Sequence, residues 1–136
     1  MEYIHAALEF LLSHKDVAFA TSEGNKPKIR VFQIMKQEGS VLYFATSPKK
    51  QVYQQLQQNP NIELLAMEGD ISVRCVGKAE FDVSEETQKW IYDNNAVLSR
   101  LYPSYDAMVY FKMQIAELDY YNLQPTPPIL KHYKIK

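Results

Sequence analysis

Apolar residues change their spacing along the chain, and each spacing predicts an element. Ile4, Leu8, Leu11 and Leu12 recur at helical intervals, which predicts a first helix over residues 2–14 with one apolar stripe. Residues 17–21 and 28–35 are β-prone runs separated by Ser22-Glu-Gly-Asn-Lys-Pro, a turn composition that predicts a hairpin. Residues 41–45 follow a second turn, Gln37-Glu-Gly-Ser, and extend the expectation to a three-stranded meander. A second helix over residues 48–58 is stopped by Asn59-Pro60. Strands resume at 62–67 and 71–83 around Glu68-Gly-Asp, the latter run long enough to curve around a barrel, with Gly77 its bend or bulge. Ser84-Glu-Glu-Thr caps a third helix carrying Trp90 and Ile91. After an irregular stretch through Tyr102-Pro-Ser come the last strands, 108–115 and 118–121, and then a proline-rich tail from residue 124, expected to be extended or partly disordered.

Strands grouped in hairpins and interrupted by short helices do not make a βαβ alternation. The expected fold is therefore mainly β, an antiparallel β-barrel with peripheral helices, in one domain over residues 1–136. At 46% hydrophobic residues the chain can build a core without disulfides or a structural metal. Ten tyrosines and six phenylalanines suit a β-rich core and a subunit interface.

Charge narrows the partners. Fifteen Lys and Arg against 16 Asp and Glu leave a net charge of −1, so no global field draws nucleic acid or an anionic membrane, and any anion site must be local. The first helix carries Glu2 and Glu9 and lacks a basic leader, so it reads as part of the mature protein rather than a signal peptide or membrane span. A single cysteine, Cys75, fits a reducing compartment, and a cytoplasmic location is expected. On a strand face with Val73, Gly77 and Ala79, Cys75 reads as a small core residue. His5, His14 and His132 have no metal-ligand spacing, and neither a serine elbow nor a phosphate-binding glycine loop occurs.

One local signal stands out when two helix starts are compared. At the third helix, Glu85 and Glu86 follow the Ser84 cap and complement the positive end of the helix. At the second helix, Ser47 is the expected N-cap and Pro48 the first helical residue, yet Lys49 and Lys50 follow and place positive charge against a positive end. A phosphate there would reverse that repulsion, accepting bonds from backbone N–H groups, the Thr46 and Ser47 hydroxyls and a lysine. The alternative is two solvated lysines. Arg30 shares a strand face with Phe32 and Ile34, so its guanidinium needs a partner, whether a phosphate, a ring carbonyl or a carboxylate. Arg74 lies on a face with Ser72, Lys78 and Glu80, where a solvated position is the stronger reading.

The blocks Lys28-Ile-Arg-Val-Phe, Leu42-Tyr-Phe-Ala-Thr-Ser, residues 50–60 and residues 71–81 together resemble the pyridoxamine 5'-phosphate oxidase-like flavin proteins over residues 17–121. The resemblance implies an FMN-binding split β-barrel with Greek-key-like connections, a homodimer, and FMN in the cleft between subunits. It places Arg30, Val31 and Phe32 along the isoalloxazine and ribityl side, Ala45, Thr46 and Ser47 near the ribityl phosphate, Lys49 or Lys50 paired with that phosphate, and Arg74 at the cofactor site. Two departures stand out. Oxidases of pyridoxamine phosphate carry an arginine-rich C-terminal segment, whereas residues 127–136 here hold no arginine, so another small organic substrate is expected. Ser72 replaces an aromatic residue common in the family and opens the flavin site or weakens binding. An FMN-dependent oxidoreductase is the expected activity, with a non-catalytic flavin-binding or sensing protein and a ligand-free interaction module as alternatives.

Overall fold

Burial alternates along most strands and decides which side of the sheet is core. In the computed structural model, which describes residues 2–135, β5 (Asn61–Glu68) buries Ile62, Leu64 and Ala66 and exposes the residues between them. The chain runs α1 (Ile4–Ser13), β1 (Asp16–Glu23), β2 (Lys26–Gln33), β3 (Lys36–Glu38), β4 (Val41–Thr46) and α2 (Gln51–Gln58) before β5. It continues through β6 (Ile71–Glu80), α3 (Glu85–Asn94), α4 (Ala96–Leu101), β7 (Val109–Gln114), β8 (Glu117–Asn122) and β9 (Ile129–Lys134). Every strand pair is antiparallel. The sheet order is β2-β1-β5-β6-β7-β4-β3, with β8 on β6 and β9 on β8.

β6 curls the sheet. One of its edges pairs with β5 from Ile71 to Lys78, while the other pairs with β8 through Ile71–Val76 and then with β7 through Ala79 and Glu80. The exchange of partners falls at Gly77, where a Cβ would lie 2.4 Å from Met113 Cγ and 2.6 Å from the Gln114 carbonyl oxygen. The β5–β6 register runs through Gly77 without interruption, so the glycine makes room for a crossing strand and is no bulge.

Two apolar clusters flank β4, which is buried on both faces and therefore reads as a continuous run rather than an alternation. On one side Phe19, Phe44 and Phe111 pack with Phe32, at ring separations of 4.6 Å for Phe19–Phe32 and 5.3 Å for Phe44–Phe111. On the other, Tyr43 and Ala45 meet Ile91 of α3 and Leu98 of α4.

Several expectations are corrected. β4 does not continue a meander from β2 but lies between β3 and β7, because the chain turns back at Gly39 so that β3 takes one edge of β4 while β7 takes the other, leaving no edge for β2. β3 and α4 were not expected: the first has three residues and the second six without a side-chain cap. The tail is ordered as β9 over Ile129–Lys134, where Ile129 and Tyr133 pack on the core and the Tyr133 hydroxyl accepts a bond from the Tyr3 N–H at 2.9 Å. No helix among the described residues is long and apolar enough to cross a membrane.

Candidate functional site

β2 is an edge strand, and its two faces serve different ends. Arg30 stands opposite Phe19 of β1 on the core side, two residues from the half-buried Phe32. Its guanidinium donates to the Phe19 carbonyl at 3.2 Å, to Thr21 Oγ1 at 2.8 Å and to Gln55 Oε1 at 2.8 Å. The Thr21 hydroxyl in turn donates to Gln55 Oε1 at 2.6 Å. Burial lowers the Arg30 pKa from its ordinary value, although a guanidinium stays charged. None of its partners is a carboxylate.

The segment between β4 and α2 departs from expectation. Lys50 N–H donates to the Ser47 carbonyl at 3.1 Å, closing a turn with Pro48 in its second position, and the helix begins only at Gln51. The fixed φ of proline suits this turn as well as a helix start, so Pro48 did not mark the first helical residue. Ser47 is accordingly not the N-cap; its hydroxyl accepts from the Lys49 N–H at 3.2 Å. Lys50 itself holds the cap position, with no side-chain cap and no acidic residue in the first turn. The lysines therefore precede the helix end rather than occupying its first turn, and the positive pole is still unopposed.

Arg30, Lys49 and Lys50 line one open hollow of about 590 Å3, with Val31, Phe32 and Val52 between them and no carboxylate in its lining. Among the described residues neither lysine and not Arg30 forms an ion pair. A second hollow of about 380 Å3 shares Val31, Phe32 and Lys50 with the first and is mostly apolar, walled by Ala45, Met35 and, from α4, Leu98 and Leu101. Thr46 also lines it. This residue is only 2% exposed, and its hydroxyl has no hydrogen-bond partner among the described residues. A buried hydroxyl normally finds a partner, so a polar atom of a ligand is the natural complement. Each hollow falls within the range of small-molecule sites, roughly 300–1,000 Å3.

Of the residues singled out in the sequence, Arg30, Val31, Phe32, Ala45, Thr46, Lys49 and Lys50 line these two hollows, and Ser47 forms the turn beside them. Arg74 does not join them. Leu65 stands opposite both Arg74 and Ala18, and Ala18 stands opposite Val31, which puts Arg74 on the outer face of the sheet, three strands from β2. There it donates through Nε to Asp119 at 2.8 Å and, through a second guanidinium nitrogen, to the same carboxylate. Burial opposes ionisation of Asp119, but hydrogen bonds from Arg74 and His132 outweigh it and hold the pKa below its ordinary value. Cys75 faces the core, and burial pushes its pKa up to about 12, which leaves it a thiol. The sequence reading passed over Thr21, Gln55 and α4. Gln55 was open to detection: with Val52 and Leu56 it completes a helical apolar stripe, a place where an amide needs a buried partner.

A family model described as pyridoxamine 5'-phosphate oxidase matches residues 4–122. The chain belongs to that family. Its curled antiparallel sheet is the split barrel of the pyridoxamine 5'-phosphate oxidase family. Solved structures agree on the fold. General stress protein 26 from Bacillus anthracis superposes with a TM-score of 0.82 at 17% identity, covering 99% of this chain and 100% of that one. A Clostridium acetobutylicum protein related to general stress protein 26 gives 0.80 at 18% identity, covering 98% and 94%. A FAD-binding protein from Mesorhizobium loti gives 0.68 at 17% identity, covering 84% and 90%. No curated protein matches the sequence significantly.

Proposed function

We propose that this family member binds FMN and acts as an FMN-dependent oxidoreductase on a small organic molecule. The observation that carries the reading is the pairing of hollows: three cations without a carboxylate in one, and in the next a mostly apolar space that also takes in Asp16, Gln33 and the orphaned Thr46 hydroxyl. A molecule with an anionic end and a planar apolar body matches both. Arg30, Lys49 and Lys50 hold the phosphate end, the Thr46 hydroxyl bonds a polar atom near it, and Val31 and Phe32 flank the bridge between the hollows. The FAD-binding relative supports a flavin, and FMN is the flavin that the family resemblance implies.

When bound, FMN supplies the redox chemistry, accepting and returning a hydride. The chain's own residues bind and orient. Phe32 and the α4 side chains Leu98 and Leu101 give the ring an apolar wall. The assembly is a homodimer with the cofactor between subunits. Its support is the outer face of the sheet, where Ile29, Val31 and Met67 are 72%, 73% and 63% exposed and Ala18 lies between Val31 and Leu65.

The test is a titration of the purified protein with FMN, followed by anaerobic NAD(P)H and then a defined acceptor. Uptake of FMN with quenched flavin fluorescence, then bleaching and reoxidation, is the expected result. Uptake without reduction by any donor would indicate a binder rather than an enzyme, and no uptake would overturn the reading.

A further inference from the structure

We propose that Gln55 is a positioning residue that keeps the charge of Arg30 available to an anion in the hollow. The inference rests on the reading of that hollow as a phosphate site. Gln55 is 4% exposed and projects from α2 toward β1 and β2. Arginine only donates hydrogen bonds, so the amide oxygen, not its nitrogen, must face it. The Thr21 hydroxyl accepts from Arg30 and donates to the same amide oxygen. Three side chains from three elements thus form a closed triangle, in which the Gln55 amide oxygen accepts from both Arg30 and Thr21.

The triangle fixes the guanidinium without cancelling it. Of the five N–H donors of an arginine, Phe19, Thr21 and Gln55 take three, and the others are left for a ligand. A glutamate at position 55 would offer the same acceptor geometry to Arg30 and Thr21. It would also add a negative charge at hydrogen-bond distance, and in this half-buried setting the pair would be neutral toward anything entering the hollow. Glutamine is therefore the side chain that satisfies the bonds and spares the charge. A purely structural tie between α2 and the sheet would be served equally by either.

Gln55→Glu and Gln55→Met separate the two roles. Glu keeps the acceptor and removes the net charge; Met keeps the charge and removes the acceptor. FMN and riboflavin are titrated by fluorescence quenching onto the full-length wild-type, Gln55→Glu and Gln55→Met proteins, with thermal midpoints as a check on folding. Gln55→Glu is expected to weaken FMN by about tenfold or more while riboflavin changes by less than about twofold. Gln55→Met should weaken FMN less than Gln55→Glu does. A structural tie predicts the reverse order, with Glu near wild type and Met impaired for both ligands, and that order overturns the proposal. Should Gln55→Glu not fold, Thr21→Asp brings a carboxylate to the same guanidinium from β1; FMN-specific loss supports the proposal and unchanged FMN affinity overturns it. A wild-type protein that does not prefer FMN to riboflavin would instead overturn the phosphate reading itself.

Discussion

Two arginines on opposite faces of the sheet, three strands apart, meet opposite fates, and their partners explain why. Arg30 is enclosed by neutral acceptors and keeps its charge for the hollow, whereas Arg74 spends its charge on Asp119. Asp119 also accepts from His132 Nδ1 at 2.6 Å, so one carboxylate gathers two basic side chains on the outer face. Because its folded pKa lies below the ordinary value, ionised Asp119 contributes stability that is complete above an ordinary aspartate pKa of about 3.9 and is lost as pH falls through the folded value. Replacement by Asn is expected to lower stability at pH 7 by about 1–2 kcal/mol, a modest cost since Arg74 is half exposed. Urea unfolding from pH 7 to pH 3 checks this: the gap between wild type and Asp119→Asn should narrow below pH 4. A gap that stays constant across that range would mean that the carboxylate charge contributes nothing.

At the scale of elements, Gly77 is the position where geometry leaves no choice. The crossing of β7 over β6 puts Met113 and Gln114 where a methyl group would stand, and the Gln114 atom is backbone. Gly77→Ala is expected to destabilise the fold by about 1–3 kcal/mol, measured by chemical unfolding, with little change in secondary structure by circular dichroism. Much of the element pattern was legible in the sequence. Helical spacing placed α1, the Ser84 cap placed α3, whose Thr87 N–H bonds the serine hydroxyl at 3.2 Å, and Asn59-Pro60 placed the end of α2. Local signals of those kinds do not reach further. β9 lies beyond a proline-rich stretch and exists because β8 offers an edge, a long-range fact invisible to local composition. The start of α2 was misplaced because proline suits a turn and a helix start alike. Within the site, the cationic cluster was legible from charge order around residue 48. The Thr21–Gln55 cage was not, because it depends on the approach of α2 to β1.

For the molecule as a whole, the sheet has an inner face that forms the core and, on β2 and β5, an outer face where Ile29, Val31, Leu65 and Met67 are exposed. Leu65 and Met67 belong to that outer face and lie outside both hollows. If the face joins two copies, Leu65→Glu with Met67→Glu should convert a dimeric wild type to monomer by light scattering while the circular dichroism spectrum stays that of the folded chain. A wild type already monomeric at micromolar concentration would contradict the dimer. The central claim, however, is the cationic hollow at the end of β4. FMN and riboflavin differ only by the phosphate, so the two ligands report on that hollow alone. The deciding measurement is their affinity for the wild type and for the Lys49→Ala, Lys50→Ala double variant. The account predicts that FMN binding falls by about tenfold or more while riboflavin binding stays within about twofold, given roughly 1.5–3 kcal/mol for a hydrogen bond to a charged group. Equal losses for both ligands would contradict it.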